Sequence, residues 1–249
     1  MPWETYRVKI MRSRDVYVIG SLGVFLTAVI TLSLWADVLE TSSALGAGAT
    51  LLAAFLGAYF AFTLNEQREL RKARNEQKVA LNRSLFVLAR QANAIENYYR
   101  QVAPFTSPHE RAFSMPAFKP PSYAQLAHDF DGLSFLLESS EPQLLMELAV
   151  EQERFEQVIE SIRIRNEFYV DEIQPALVEQ GLTGRPLSVE ELCQGLGEKL
   201  FGGAMDGARN VWEHLEASRK SLPDVHSELL GMGRELFPGE SLVMWNTEA

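Results

Sequence analysis

Hydropathy along the chain predicts its elements before any single residue does. Residues 16–35 (VYVIGSLGVFLTAVITLSLW) are uncharged for about 20 positions, the length that a bilayer's hydrocarbon core requires. A short polar link follows, and residues 43–64 form a second uncharged apolar span, so the pattern predicts a two-helix transmembrane hairpin over 16–64. Residues 65–78 are almost wholly polar and helix-favouring. Leu81, Leu85, Leu88, Ala92, Ile95, Tyr99 and Val102 then recur at alternating steps of four and three, the seam of a coiled coil or bundle helix. No proline interrupts 43–102, so the second span is expected to continue as a cytosolic stalk over 65–103. At 1.5 Å per residue the whole rod would be roughly 90 Å long. A seam this short is expected to pack on the helices that follow, with self-association through it as the second option.

The remainder, 104–249, reads as a helical body. Five prolines and three phenylalanines in 104–121 predict a loop lying on that body. Ser122-x-x-Gln125 is a capping pattern that would open a helix bearing Leu126, Phe130, Leu133, Phe135 and Leu136. Ser140, with Gln143 at the third position and Pro142 in the first turn, would cap the next helix, whose apolar face is Leu144, Leu148, Phe155, Ile159, Ile162, Tyr169 and Ile173. Pro175 should kink or end it, and Gly181 should close its tail. Ser188-x-x-Glu191 caps a seam of Leu192, Leu196, Leu200, Ala204, Ala208, Val211 and Leu215, and a separate last helix is expected from Pro223 to Phe237. Ser241 to Trp245 reads as a terminal tail. The fold class expected is all-α, a transmembrane hairpin whose second helix runs on as a stalk into an acidic helical bundle.

Charge sets the topology. The net charge of −10 is the sum of +4 over residues 1–103 (12 Lys+Arg against 8 Asp+Glu) and −14 over 104–249 (11 against 25). An acidic body argues against broad nucleic-acid binding, which needs clustered Lys and Arg. Arg7, Lys9, Arg12 and Arg14 in the N-terminal segment, 1–15, precede the first span, and Arg68, Arg71, Lys72, Arg74 and Lys78 follow the second, whereas the link between the spans has no Lys or Arg. Both termini are therefore expected in the cytoplasm. A cleaved signal peptide is the competing reading of the first span, but Leu34 stands three positions before the end of a cut after Ala36, where a small residue is wanted. The five cations after the second span are expected to contact lipid headgroups. Small residues lie in rows on the second span, Gly46, Thr50, Ala54 and Ala58 on one side and Ala49, Ala53, Gly57 and Ala61 on another. Such rows let helices approach closely, so Gly46, Ala49, Ala53, Gly57 and Ala61 are expected packing positions and the chain a homo-oligomer. Neither span contains Asp, Glu, Lys, Arg or His, which leaves a proton relay without a carrier. The single cysteine, Cys193, permits no internal disulfide and suits a reducing compartment.

Candidate chemistry is sparse. Arg209-Asn210-Val211-Trp212-Glu213-His214 resembles the R-polar-x-x-x-H motif of HEPN ribonucleases, helical proteins frequent in bacterial defence. That resemblance implies a guanidinium on the RNA phosphate and an imidazole moving the 2′-hydroxyl proton, roles that fall to Arg209 and His214. The plainer reading, an exposed Arg and a His at the edge of the seam, is preferred, so a catalytic residue is expected only under this alternative. His128-Asp129-Phe130-Asp131 could hint at a metal, but no other His or Cys stands at ligand spacing and solvated helix residues are expected there. Walker, dinucleotide and Gly-x-Ser-x-Gly motifs do not occur, and no cofactor is expected. Through Phe60-Ala61-Phe62, Ala80-Leu81-Asn82-Arg83-Ser84-Leu85-Phe86 and Phe130-Asp131-Gly132-Leu133-Ser134-Phe135-Leu136-Leu137-Glu138, and through the order of its segments, the chain resembles bacterial two-span inner-membrane proteins, some described as phage abortive infection proteins. The resemblance implies a context, phage defence, without a mechanism. The leading expectation is a membrane-anchored helical protein that oligomerises or docks a cytosolic protein partner, without nucleic acid; a membrane-tethered HEPN-like ribonuclease is the alternative.

Overall fold

The computed structural model describes residues 27, 31 and 41–245, apart from 119, 121, 124, 185 and 186. The described residues are helical or irregular, with no strand among them. The chain divides into two compact units, Met1–Arg71 and Lys72–Ala249. The boundary falls inside helix α1, Thr41–Val102. Of the expected first span, 16–35, only Thr27 and Thr31 belong to the described residues; they are helical, and Thr31 Oγ1 donates to the Thr27 carbonyl at 2.7 Å. The N-terminal segment, 1–15, lies outside the described residues.

In the first unit α1 exposes large apolar side chains, among them Leu51, Phe55, Phe60, Phe62 and Leu64. Among the described residues it is the one helix long and apolar enough to cross a membrane. Thr50 Oγ1 donates to the Gly46 carbonyl and Thr63 Oγ1 to the Tyr59 carbonyl, both at 2.9 Å, so these hydroxyls are satisfied within the helix.

The second unit is built on the 4-3 seam. Leu81, Leu85, Leu88, Ala92, Ile95 and Val102 are buried and Tyr99 is half-buried. They share one core with Leu144, Leu148, Phe155, Val158 and Ile162 of α2, Gln143–Phe168, and with Val211, Leu215, Leu222, Val225, Leu229 and Met232 of α4, Val189–Leu236. A smaller cluster gathers Ala112, Ile173, Ala204 and Ala208.

Local chemistry explains the ends of these helices. At the close of α2 a π-turn, Tyr169–Ile173, leads into the short α3, Gln174–Glu179, which takes Pro175 into its first turn, where a missing N–H costs no ladder bond. The helix thus passes the proline by changing its winding. It ends in a Schellman motif: Leu182 N bonds the Leu177 carbonyl at 2.8 Å, Gly181 N bonds that of Val178 at 3.1 Å, and Gly181 has φ +62°. Ser188 and Glu191 form the expected capping box, with Glu191 N to Ser188 Oγ at 3.1 Å and Ser188 N to Glu191 Oε2 at 2.8 Å. Gly197 (φ +75°, ψ 161°) breaks the ladder of α4 near its start.

Three expected features are corrected. The described residues of 122–138 do not form a helix opened by Ser122; they cross α1 as irregular backbone and a turn followed by a 3₁₀ turn, Ser134–Glu138. The seam helix itself competes for this backbone, since Gln91 Nε2 donates to the Leu126 carbonyl at 2.9 Å. An added Cβ at Gly132 would lie 3.2 Å from that of Ala80, so the crossing is close. Ser140 does not cap α2; Ser139 Oγ instead accepts from Glu141 N at 3.2 Å and donates to the Leu136 carbonyl at 2.6 Å. No new helix starts at Pro223, which lies inside α4. Val211, Leu215, Ser218, Leu222, Val225, Leu229 and Met232 keep one buried phase across it, and that packing outweighs the lost backbone bond.

Candidate functional site

The expected packing positions, Gly46, Ala49, Ala53, Gly57 and Ala61, are all exposed within the chain. A Cβ added at Gly46 or Gly57 would meet no atom within 4 Å. The half-buried positions of this stretch are Gly48, Leu52, Leu56, Tyr59 and Thr63, a different face from either small-residue row.

The five expected headgroup contacts separate by position along α1, for Arg71, Arg74 and Lys78 share one face of the helix. Arg68, Arg71 and Lys72 are exposed. Arg74 Nη2 donates to the Leu236 carbonyl at 3.3 Å, its guanidinium lying 5.8 Å from the Phe237 ring centre, and Lys78 Nζ pairs with Glu240 at 3.0 Å. Arg74 and Lys78 stand one turn apart in line with Leu81, Asn82 and Leu85, the face of α1 turned to its own body.

Arg209 and His214 are not brought together. The Arg209 guanidinium, exposed, pairs with Asp206 at 2.6 Å one turn back. His214 is half-buried and lines a groove of about 690 Å³ between α2 and α4, shared with Glu153, Glu156, Glu160, Asn210 and Ile164. Five positions on a helix turn two side chains about 140° apart. A phosphate in this groove would meet carboxylates: Glu156 accepts from Gln152 at 2.7 Å and Glu160 pairs with Arg163.

His128 is buried, its Nδ1 2.7 Å from Ser84 Oγ, and burial pushes its pKa down to about 4, so the ring is neutral near pH 7. Asp129 Oδ1 accepts from Gly132 N at 3.1 Å, closing the turn beside it. Among the described residues no group of three or more His, Cys, Asp or Glu side chains is placed to hold a metal ion. Cys193 is half-buried on α4.

Polar residues that the sequence did not single out organise the interior. Arg165, 4% exposed, has no carboxylate beside it among the described bonds; its guanidinium donates to the carbonyls of Pro116 (3.1 Å), Arg111 (3.2 Å), Ala112 (3.4 Å) and Met115, and to Asn166 Oδ1 (3.2 Å). It gathers the carbonyls that leave a π-turn, Glu110–Ser114, which gives the proline-rich loop a fixed end. Burial pushes its pKa down to about 10, and it stacks 4.5 Å over the Tyr169 ring. A second tie is a ladder across three segments: Arg219 sits 4.0 Å over Tyr99, Tyr99 stacks on Trp212 at 5.5 Å, and Arg111 covers Trp212 at 4.3 Å. Arg219 also pairs with Glu96 at 2.8 Å. Burial raises the Glu96 carboxyl, but Arg219 and Arg100 outweigh it and hold the group below the usual range. These polar ties join the seam to its neighbours and leave no reacting centre among themselves. Compared with protein-family models, curated proteins and solved structures, the chain matches none.

Proposed function

We propose that this chain is a membrane-anchored helical interaction protein: a two-helix hairpin, 16–35 and 43–64, fixes an acidic helical bundle to the cytoplasmic face of a bacterial inner membrane, where copies associate. Phage defence is the context that the sequence resemblance implies. The observation that carries the reading is the first-unit stretch of α1, where Leu51, Phe55, Phe60, Phe62 and Leu64 are exposed and no Asp, Glu, Lys, Arg or His intervenes. Such a surface costs free energy in water, roughly 25 cal/mol per Å² of apolar area, and none in lipid. Arg68, Arg71 and Lys72, exposed just beyond it, suit an anionic headgroup layer. The separation of Arg209 from the groove of His214, and the glutamates lining that groove, favour this reading over a ribonuclease.

Topology is tested with a reporter that works only in the periplasm, fused after Ala249; the reading expects it silent, and an active reporter overturns the orientation. Association is tested by mass measurement in detergent, where a monomer at every working concentration contradicts it. His214→Ala in the intact protein addresses the chemistry: any cellular phenotype is expected to survive, and its loss with the fold intact would bring the ribonuclease forward.

A further inference from the structure

The C-terminal segment is held to the second unit in the manner of a bound peptide. After α4 the chain reverses in a turn from Phe237 to Glu240, closed by Glu240 N on the Phe237 carbonyl at 3.2 Å. Pro238 occupies the second position of that turn and Gly239, φ +80°, the third, as a type II turn requires. Residues 241–245 then run without regular structure across α1 and α4.

Asn82 of α1 binds their backbone with both ends of its amide: its Oδ1 accepts from Val243 N at 2.9 Å and its Nδ2 donates to the Ser241 carbonyl at 3.5 Å. In an extended chain the C=O of one residue and the N–H two residues on point the same way, so one side-chain amide replaces a neighbouring strand. Side chains on either side add selectivity. Glu240 meets Lys78 at 3.0 Å. Leu242 lies over Gly233, where an added Cβ would stand 2.9 Å from Leu242 Cδ1 and 2.9 Å from Leu81 Cδ2, so any larger residue would make these leucine side chains give way. Trp245 meets His226 edge-on at 6.1 Å; His226 is 5% exposed, and its Nε2 has no hydrogen-bond partner among the described residues. Met244, between them, points to solvent at 66% exposure.

We propose that the surface formed by Lys78, Leu81, Asn82, His226 and Gly233 is a peptide-recognition site for this chain's own C-terminal sequence, filled in cis in a single copy and in trans by the tail of a second copy. Exchange makes the same contacts in both arrangements and moves only the turn at Pro238-Gly239, so concentration at a shared membrane surface sets the balance. This rests on the homo-oligomer reading above and names the segment that would link the copies.

The test uses the full chain ended at Pro238, in detergent, titrated with a labelled peptide of residues 239–249 (GESLVMWNTEA) and with a scrambled peptide of equal composition. The site predicts saturable binding of the native peptide alone, weakened about tenfold by Asn82→Ala through the loss of two hydrogen bonds. If the shortened chain is unfolded, the native peptide is expected to restore its fold. Absence of binding, equal binding of the scrambled peptide, or unfolding that the peptide does not reverse would overturn the proposal. None of these outcomes touches the detergent mass measurement, so failure of the tail site and failure of oligomerisation remain separate results.

Discussion

Helix α1 carries large apolar side chains in both units and uses them in opposite ways. Before Arg71 many stay exposed, as Leu51, Phe55 and Phe60 do, and even Leu52 and Leu56 are only half-buried; after Lys78, although Val79 and Phe86 stay exposed, the seam residues Leu81, Leu85, Leu88 and Ile95 have no exposed surface left. The polar residues differ in the same sense. Thr50 and Thr63 satisfy themselves on their own helix, whereas Ser84 and Gln91 are buried and reach His128, Leu126 and Gln152. A helix that spends its hydrogen bonds on itself and its apolar surface on its surroundings suits lipid; one that spends both on its own chain belongs to a core.

The largest expected effect lies on the core side of this contrast. Arg165→Met leaves the carbonyls of Pro116, Arg111 and Met115 without their donor and should destabilise the second unit by about 3–5 kcal/mol. Denaturant unfolding in detergent measures this, and early proteolysis within 104–121 should accompany it. A loss below about 1 kcal/mol would mean that the loop holds without its clamp.

Leu88→Ala and Phe55→Ala set the two halves of the helix directly against each other. The first should cost about 2–5 kcal/mol in the same unfolding transition, because it opens a cavity at a fully buried position. The second, at a side chain 47% exposed, should leave that transition unmoved. Equal effects would erase the distinction between the halves.

Next in size is a pH dependence. His128 has a folded pKa of about 4 against an ordinary value of 6.5, so below 6.5 the unfolded state binds the proton that the folded state refuses. Stability is complete above about pH 6.5 and falls as pH drops toward 4, by about 3 kcal/mol for a shift of this size. Burial lowers the pKa of His226 too and adds a loss of the same sign. His128→Gln should remove most of the slope in a series of unfolding curves; an unchanged slope would exclude this ring as its source. The smallest effect is that of Ser188→Ala, which removes one side of the capping box and should cost about 1 kcal/mol.

Where local spacing and capping agreed with packing, the fold was legible. The steps of four and three from Leu81 to Val102 marked the core face of α1, and Ser188, Glu191 and Gly181 marked helix ends through their own backbone bonds. The same spacing runs on through Val211, Leu215, Ser218, Leu222, Val225, Leu229 and Met232, and it was the signal that α4 passes Pro223; the proline hid it. Residues 122–138 misled for the opposite reason: their capping pattern and apolar spacing are helical, but partners 35 to 44 positions away, Gln91 and Ser84, claim the Leu126 carbonyl and the His128 ring. Arg165 and Asn82 gave no local sign at all, because each acts on backbone 49 or more positions distant in the chain. At the candidate site, the motif at Arg209 and His214 was visible, but its two side chains face different neighbours, Asp206 and the groove of Glu153, Glu156 and Glu160.

The central claim, that residues 43–64 lie in lipid while α1 beyond Arg71 lies in water, is tested most directly by cysteine protection. In intact membranes carrying the Cys193→Ser background, a charged maleimide that has been given access to both faces should label Lys72→Cys and spare Ala53→Cys until detergent is added. Equal labelling of the two positions before detergent would contradict the account.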